Sequence, residues 1–130
     1  DDTLNRGFDC EIDIRMVDNQ LYLGHDEPQY KIDIGWLYKR RHKLWIHCKN
    51  LQALEQLINT DLNFFWHQED DFAITSKGYI WTYPGKKLGL KSIAVMPEGS
   101  SWQLHNLKEC FAICSDYVYH YQGISNLYYE

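Results

Sequence analysis

Phe8-Asp9-Cys10-Glu11-Ile12-Asp13-Ile14-Arg15-Met16, followed after a polar Asp18-Asn19 turn by Leu21-Tyr22-Leu23-Gly24-His25-Asp26, is the stretch on which the reading of this chain depends. Phe8, Cys10, Ile12, Ile14 and Met16 alternate with Asp9, Glu11, Asp13 and Arg15, the period-two pattern of a strand. Asp18-Asn19 suits a tight turn, and Leu21 to Leu23 a second strand. On the first strand Glu11 and Asp13 point to the same side. Two carboxylates on one face repel unless a cation sits between them, so a divalent metal gathered by oxygen ligands is the expected occupant. His25-Asp26, closing the next apolar run, sets a proton carrier beside that metal. The competing reading makes Glu11 and Asp13 a solvent-facing strand edge with the apolar alternates buried behind it.

Further along, Pro28 ends regular structure, and Asp33 caps a short helix around Trp36, with Ile34, Leu37 and Tyr38 at helical spacing. Lys43 to Cys48 is the next strand, after which Asn50 caps an amphipathic helix with Leu51, Leu54, Leu57 and Ile58 on one face. Asn63 to His67 follows as an apolar strand, Phe72 to Thr75 and Tyr79 to Tyr83 as a hairpin, Pro84-Gly85 as a turn, and Ser92 to Met96 as a buried strand. Ser100 or Ser101 starts a helix through Trp102, Leu104 and Leu107, and Phe111 to Ser115 is the last clear strand. Strands alternating with short helices predict a parallel α/β sheet, which gathers functional groups at the carboxyl ends of its strands. His25-Asp26, His47 with Lys49, His67 with Glu69, Glu98, and Ser115-Asp116 fall at such ends. A full eight-fold barrel takes about 250 residues. For 130 residues the expectation is a reduced or incomplete (β/α) TIM-type barrel with parallel strands and short helices.

A composition 45% hydrophobic and 24% charged fits one domain over residues 1–130, able to form a core without disulfides. The net charge of −5 argues against a nucleic-acid partner, because such proteins draw most of their affinity from a basic surface. Lys39-Arg40-Arg41-His42-Lys43 is the one basic cluster and reads as the solvated end of a helix. No apolar run approaches the length of a membrane span, and the chain opens on Asp-Asp. Cys10, Cys48, Cys110 and Cys114 lack zinc-site spacing and read as reduced, structural thiols of a cytoplasmic protein.

Gly7-Phe8-Asp9-Cys10-Glu11-Ile12-Asp13 and the later His25-Asp26 resemble the glycerophosphodiester phosphodiesterase family, whose members carry a Gly-Phe-Asp-x-Glu-x-Asp strand and then an apolar strand ending in His-Asp. Weaker echoes are Leu44 to Lys49, Ala94 to Glu98 and Ile113 to Tyr117. The resemblance implies Mg²⁺ or Ca²⁺ held by Glu11 and Asp13, with His25 as general acid or base. The reaction it implies is hydrolysis of a small-molecule glycerophosphodiester to glycerol 3-phosphate and an alcohol. The family usually has a glutamate ligand where this chain has His47, with a lysine two positions on, here Lys49. His47 is therefore expected as a metal ligand or a donor just behind the ligands, and its imidazole moves preference toward transition metals. Lys49 is expected to offset phosphate charge as a catalytic and substrate-binding cation, and Trp81, with Tyr83, to border the substrate cleft. The family also carries a His-Arg-Gly motif on its first barrel strand. Asn5-Arg6-Gly7 resembles it in letters but lacks the histidine, so the expectation is a domain that starts after that strand. Two alternatives stand beside the hydrolase: a catalytically impaired barrel that binds a phosphate- or sugar-containing ligand, and, behind it, a purely structural interaction domain.

Overall fold

A computed structural model describes residues 2–122 and 128–129. The elements run α1 (Asp2–Asn5), β1 (Cys10–Val17), β2 (Gln20–Leu23), β3 (Tyr30–Ile32), α2 (Ile34–Lys39), β4 (Leu44–Cys48), α3 (Leu51–Leu57), β5 (Phe64–Phe65), β6 (Phe72–Ile74), β7 (Ile80–Thr82), β8 (Ser92–Val95), α4 (Leu104–Leu107), β9 (Ala112–Cys114) and β10 (Tyr128–Tyr129). Short 3-10 turns occupy Arg41–Lys43, Pro97–Gly99 and Val118–Tyr121. The two helices that position the site start at the caps their sequences call for. Asp33 Oδ1 accepts from the Trp36 N–H at 2.8 Å, and Asn50 Oδ1 accepts from the Ala53 N–H at 3.0 Å.

The strands form two five-stranded sheets, ordered β3-β2-β1-β4-β5 and β10-β9-β8-β7-β6. In the first, β1, β4 and β5 are parallel, but β2 and β3 are antiparallel additions on the other side of β1. In the second, β7 to β10 are parallel and β6 is antiparallel to β7. Among the described residues the ladder does not continue from β5 to β6. Ser76 bridges that gap, its N–H donating to Phe64 O at 2.8 Å and its Oγ accepting from the Phe64 N–H at 2.9 Å.

The architecture is thus a pair of mixed sheets that do not close on each other among the described residues, and the expectation of a reduced or incomplete TIM-type barrel of parallel strands is corrected. Two local causes account for it. Asp18 and Asn19 both take left-handed conformations, with φ of 51° and 64°, which suits a two-residue hairpin and folds β2 back antiparallel against β1. A barrel would need a parallel neighbour there. At the other edge, the two residues of β5 offer too few backbone groups to carry a ladder onward.

Smaller expectations also change. Regular structure resumes after Pro28, since β3 pairs with β2 through Leu21 and Ile32. The strand expected over Asn63 to His67 shrinks to two residues, and the helix expected from Ser100 or Ser101 begins only at Leu104, with Gln103 as its cap. α3 buries Ala53 and Leu57, while Leu51 and Ile58 are 62% and 61% exposed, so its apolar face is turned from the one expected.

Alternation splits the first sheet into two faces. Ile14, Ile46 and Cys48 pack against Leu37 of α2 and Ala53 and Leu57 of α3, each fully shielded from water. Each large aliphatic buried this way contributes roughly 1.5–3 kcal/mol. The opposite face sends Trp45 and Phe65 into a cluster with Ala73, Trp81, Ile93, Val95, Ala112 and Cys114 of the second sheet. Phe65 and Trp81 meet there at 4.8 Å between ring centroids, and Trp45 and Trp81 at 6.0 Å. The two sheets therefore share an aromatic core, and the same inward-pointing positions become polar toward the carboxyl ends of the strands. Burial pushes the Cys48 thiol up to about 12. Among the described residues, no helix is long and apolar enough to cross a membrane.

Candidate metal centre

The parallel register of β1 and β4 sets Glu11 opposite Trp45 and Asp13 opposite His47. Neighbours in register share a face of the sheet. Asp13 and His47 thus stand side by side above the aromatic core, with Glu11 one step below and Lys49 one step beyond. His47 Nδ1 lies 3.3 Å from Asp13 Oδ1 and 3.8 Å from Glu11 Oε2. One donor atom from each of Glu11, Asp13 and His47 lies within 4.8 Å of the other two.

His25 reaches this group from the loop after β2. Gly24 opens that loop at φ 155°, and a Cβ on it would sit 1.9 Å from the Glu27 carbonyl oxygen, so the close turn admits only glycine. The Gly24 N–H donates to Asp13 O at 3.1 Å, and the Arg15 guanidinium donates to His25 O at 2.7 Å. Held at both points, His25 places Nδ1 2.6 Å from Asp13 Oδ2, while its side chain stays 74% exposed. From the other side, His47 Nε2 lies 3.2 Å from His67 O, and its ring stacks on Phe65 with 4.8 Å between centroids. His67 in turn stacks on Tyr83 and bonds the Asp70 carbonyl.

These groups border a cleft of about 850 Å³. Glu11, Asp13, His25, His47 and Lys49 come to it from the strands and loops of the first sheet, Trp81, Tyr83, Val95, Met96 and Asp116 from those of the second, and His67 and Gln68 from the β5–β6 connection. Burial, and next the charge of Asp13, raise the Glu11 carboxyl well above its ordinary value, against a smaller opposing pull from Lys49. Burial also acts to raise Asp13, but the adjacent His47 imidazole and the bond from His25 outweigh that and hold it down at about 2.

Asp13 Oδ1 is buried and accepts no hydrogen bond of good geometry, although His47 Nδ1 is close by. An orphaned carboxylate oxygen beside a second sequestered carboxylate and an imidazole nitrogen is costly without a cation. The three residues fit a divalent ion on that ground.

All of the site residues expected from the sequence border the one cleft: Glu11, Asp13, His25, His47, Lys49 and Trp81. Trp81, 2% exposed, is floor more than wall. Asp116 also borders it, but Glu98 accepts instead from Ser115 Oγ at 2.7 Å and Tyr121 Oη at 3.3 Å. Sequence reasoning missed Arg15, Gln68 and Met96. Met96 takes a left-handed φ of 49°, with its N–H on Cys114 O at 2.7 Å, and no sequence signal announces that conformation. Arg15 was visible only as a polar alternate of β1. No protein-family model matches the chain, and neither a curated protein nor a solved structure matches it.

Proposed function

We propose that this chain is a metal-dependent phosphodiester hydrolase acting on a small glycerophosphodiester and releasing glycerol 3-phosphate and an alcohol. The observation that carries the reading is the convergence of Glu11, Asp13 and His47 donors within 4.8 Å, with His25 bonded to one of them. A divalent cation held by these three side chains, Mg²⁺ or Ca²⁺ by the sequence resemblance, would supply Lewis-acid polarisation of a phosphoryl oxygen.

The rest of the chemistry belongs to the chain. Lys49, bordering the same cleft, offsets phosphate charge as a fixed cation. The Asp13 carboxylate can only accept, so it keeps the hydrogen on His25 Nδ1 and leaves Nε2 as the atom where a proton is held or moved. Nε2 takes a proton from an attacking water or gives one to the departing alcohol oxygen. Tyr83, Val95 and Met96 offer an apolar wall to the carbon skeleton of the substrate, with Trp81 beneath them as floor. A cytoplasmic setting is part of the same proposal, on the zinc-free, scattered spacing of the cysteines in the sequence.

The test measures metal-dependent release of glycerol 3-phosphate by the wild type, Glu11→Gln and His25→Ala. Chelation and Glu11→Gln should abolish turnover. His25→Ala should keep its metal, read by calorimetry, and lose about 10²- to 10⁴-fold in rate. Unchanged turnover in both variants would sink the proposal. A wild type that binds metal and glycerol 3-phosphate but cleaves no diester would leave a ligand-binding protein in its place.

A further inference from the structure

His47 carries more information than its membership of the cluster. Its Nε2 lies 3.2 Å from the His67 carbonyl oxygen, which can only accept, so Nε2 bears the hydrogen and Nδ1 is the nitrogen that can turn a lone pair to a metal. Nδ1 is the nitrogen that faces Asp13 Oδ1 and Glu11 Oε2. Stacking on Phe65 and a side-chain exposure of 11% hold the ring in that orientation. Asp13, only 9% exposed, adds an oxygen with no hydrogen-bond partner of good geometry among the described residues. A carbonyl behind an imidazole fixes its tautomer and raises its basicity, as the outer partners of metal-bound histidines do.

We propose that this centre selects a first-row transition-metal dication of the Mn²⁺, Co²⁺ and Zn²⁺ class over Mg²⁺ and Ca²⁺, with His47 Nδ1 as the selecting ligand and the His67 carbonyl as the group that aims it. Mg²⁺ and Ca²⁺ take oxygen ligands almost throughout, whereas imidazole suits borderline ions. The inference rests on the metal-binding part of the proposed function and refines its cofactor.

The experiment titrates the full chain calorimetrically with Mn²⁺, Zn²⁺, Mg²⁺ and Ca²⁺ in the absence of substrate, for the wild type and His47→Glu. Any mixed nitrogen and oxygen site favours later transition metals to some degree, so the decisive quantity is the Mn²⁺-over-Mg²⁺ ratio. His47→Glu should lower that ratio by about 10- to 100-fold, the scale on which ligand-shell changes act. Long-range proton–nitrogen spectra of the wild type supply a second readout that needs no variant. They should show His47 protonated at Nε2 and a shift of Nδ1 when Zn²⁺ is added. A ratio unchanged in folded His47→Glu, an unmoved Nδ1, or Mg²⁺ bound as tightly as Mn²⁺ would overturn the selectivity while leaving the hydrolase reading intact. Binding of none of the four ions by the folded wild type would overturn both.

Discussion

Replacing Asp13 with Asn should cost the metal-free protein stability in a way that depends on pH with a definite sign. The Asp13 carboxyl stands at about 2, against an ordinary 3.8, because the cost of burying it is outweighed by the adjacent His47 imidazole and by His25, which bonds it. At about 1.4 kcal/mol per tenfold, that difference amounts to about 2–3 kcal/mol favouring the folded state. A carboxyl lowered on folding contributes above its unfolded value and loses the contribution as pH falls through its folded value. Around pH 4.5 nearly all of it is present, and by about pH 2 only a few tenths of a kcal/mol remain. The assay is urea unfolding followed by tryptophan fluorescence, in chelator, for wild type and Asp13→Asn between pH 4.5 and 2. The expected result is a gap of about 2–3 kcal/mol that closes as acid is added. A gap that stays constant, or widens toward low pH, would refute the account of Asp13 as a carboxylate held by two imidazoles.

Two substitutions test the supports of the site. Gly24→Ala would drive a Cβ to 1.9 Å from the Glu27 carbonyl oxygen, so the loop must shift, and urea unfolding should show a loss of more than about 1 kcal/mol. Native stability in that variant would mean the His25 loop does not need its tight turn. Trp81→Ala should destabilise by about 3–5 kcal/mol in the same assay, because the side chain is 2% exposed between Trp45 and Phe65. A loss under about 1 kcal/mol would make Trp81 a cleft residue with little structural duty.

The features that were legible in the sequence are those set by neighbours in the chain. Alternation from Phe8 to Met16 marked β1, Asp18-Asn19 marked its hairpin, and Asp33 and Asn50 marked their helices, because strand pleat, turn conformation and capping involve only a few consecutive residues. The side of α3 that would be buried was only partly legible, since Leu57 and Leu54 do pack on the core but Leu51 and Ile58 do not. Leu51, Leu54, Leu57 and Ile58 have the right period, but the sheet meets the arc holding Ala53 and Leu57. Periodicity fixes the angle between residues on a helix and leaves its rotation toward the core open. The expected barrel failed for a related reason. The local hairpin that was read correctly also places an antiparallel strand beside β1, and strand identity alone does not say which neighbour each edge will accept.

By itself, the sequence determined that Glu11 and Asp13 share a strand face and that His25 follows the next strand, since both facts are local geometry. It determined equally that Cys10, Ile12 and Ile14 take the opposite face. Only the tertiary structure decided that the acidic face turns inward, toward a second sheet, and that His47 stands opposite Asp13 in parallel register with its ring aimed by the His67 carbonyl. Those relations join residues between 20 and more than 30 positions apart through backbone pairing and side-chain packing, where each strand's own pattern is compatible with many partners. Whether the two carboxylates form a solvated edge or a candidate metal centre was therefore settled by which sheets came to face each other across Trp45, Phe65 and Trp81.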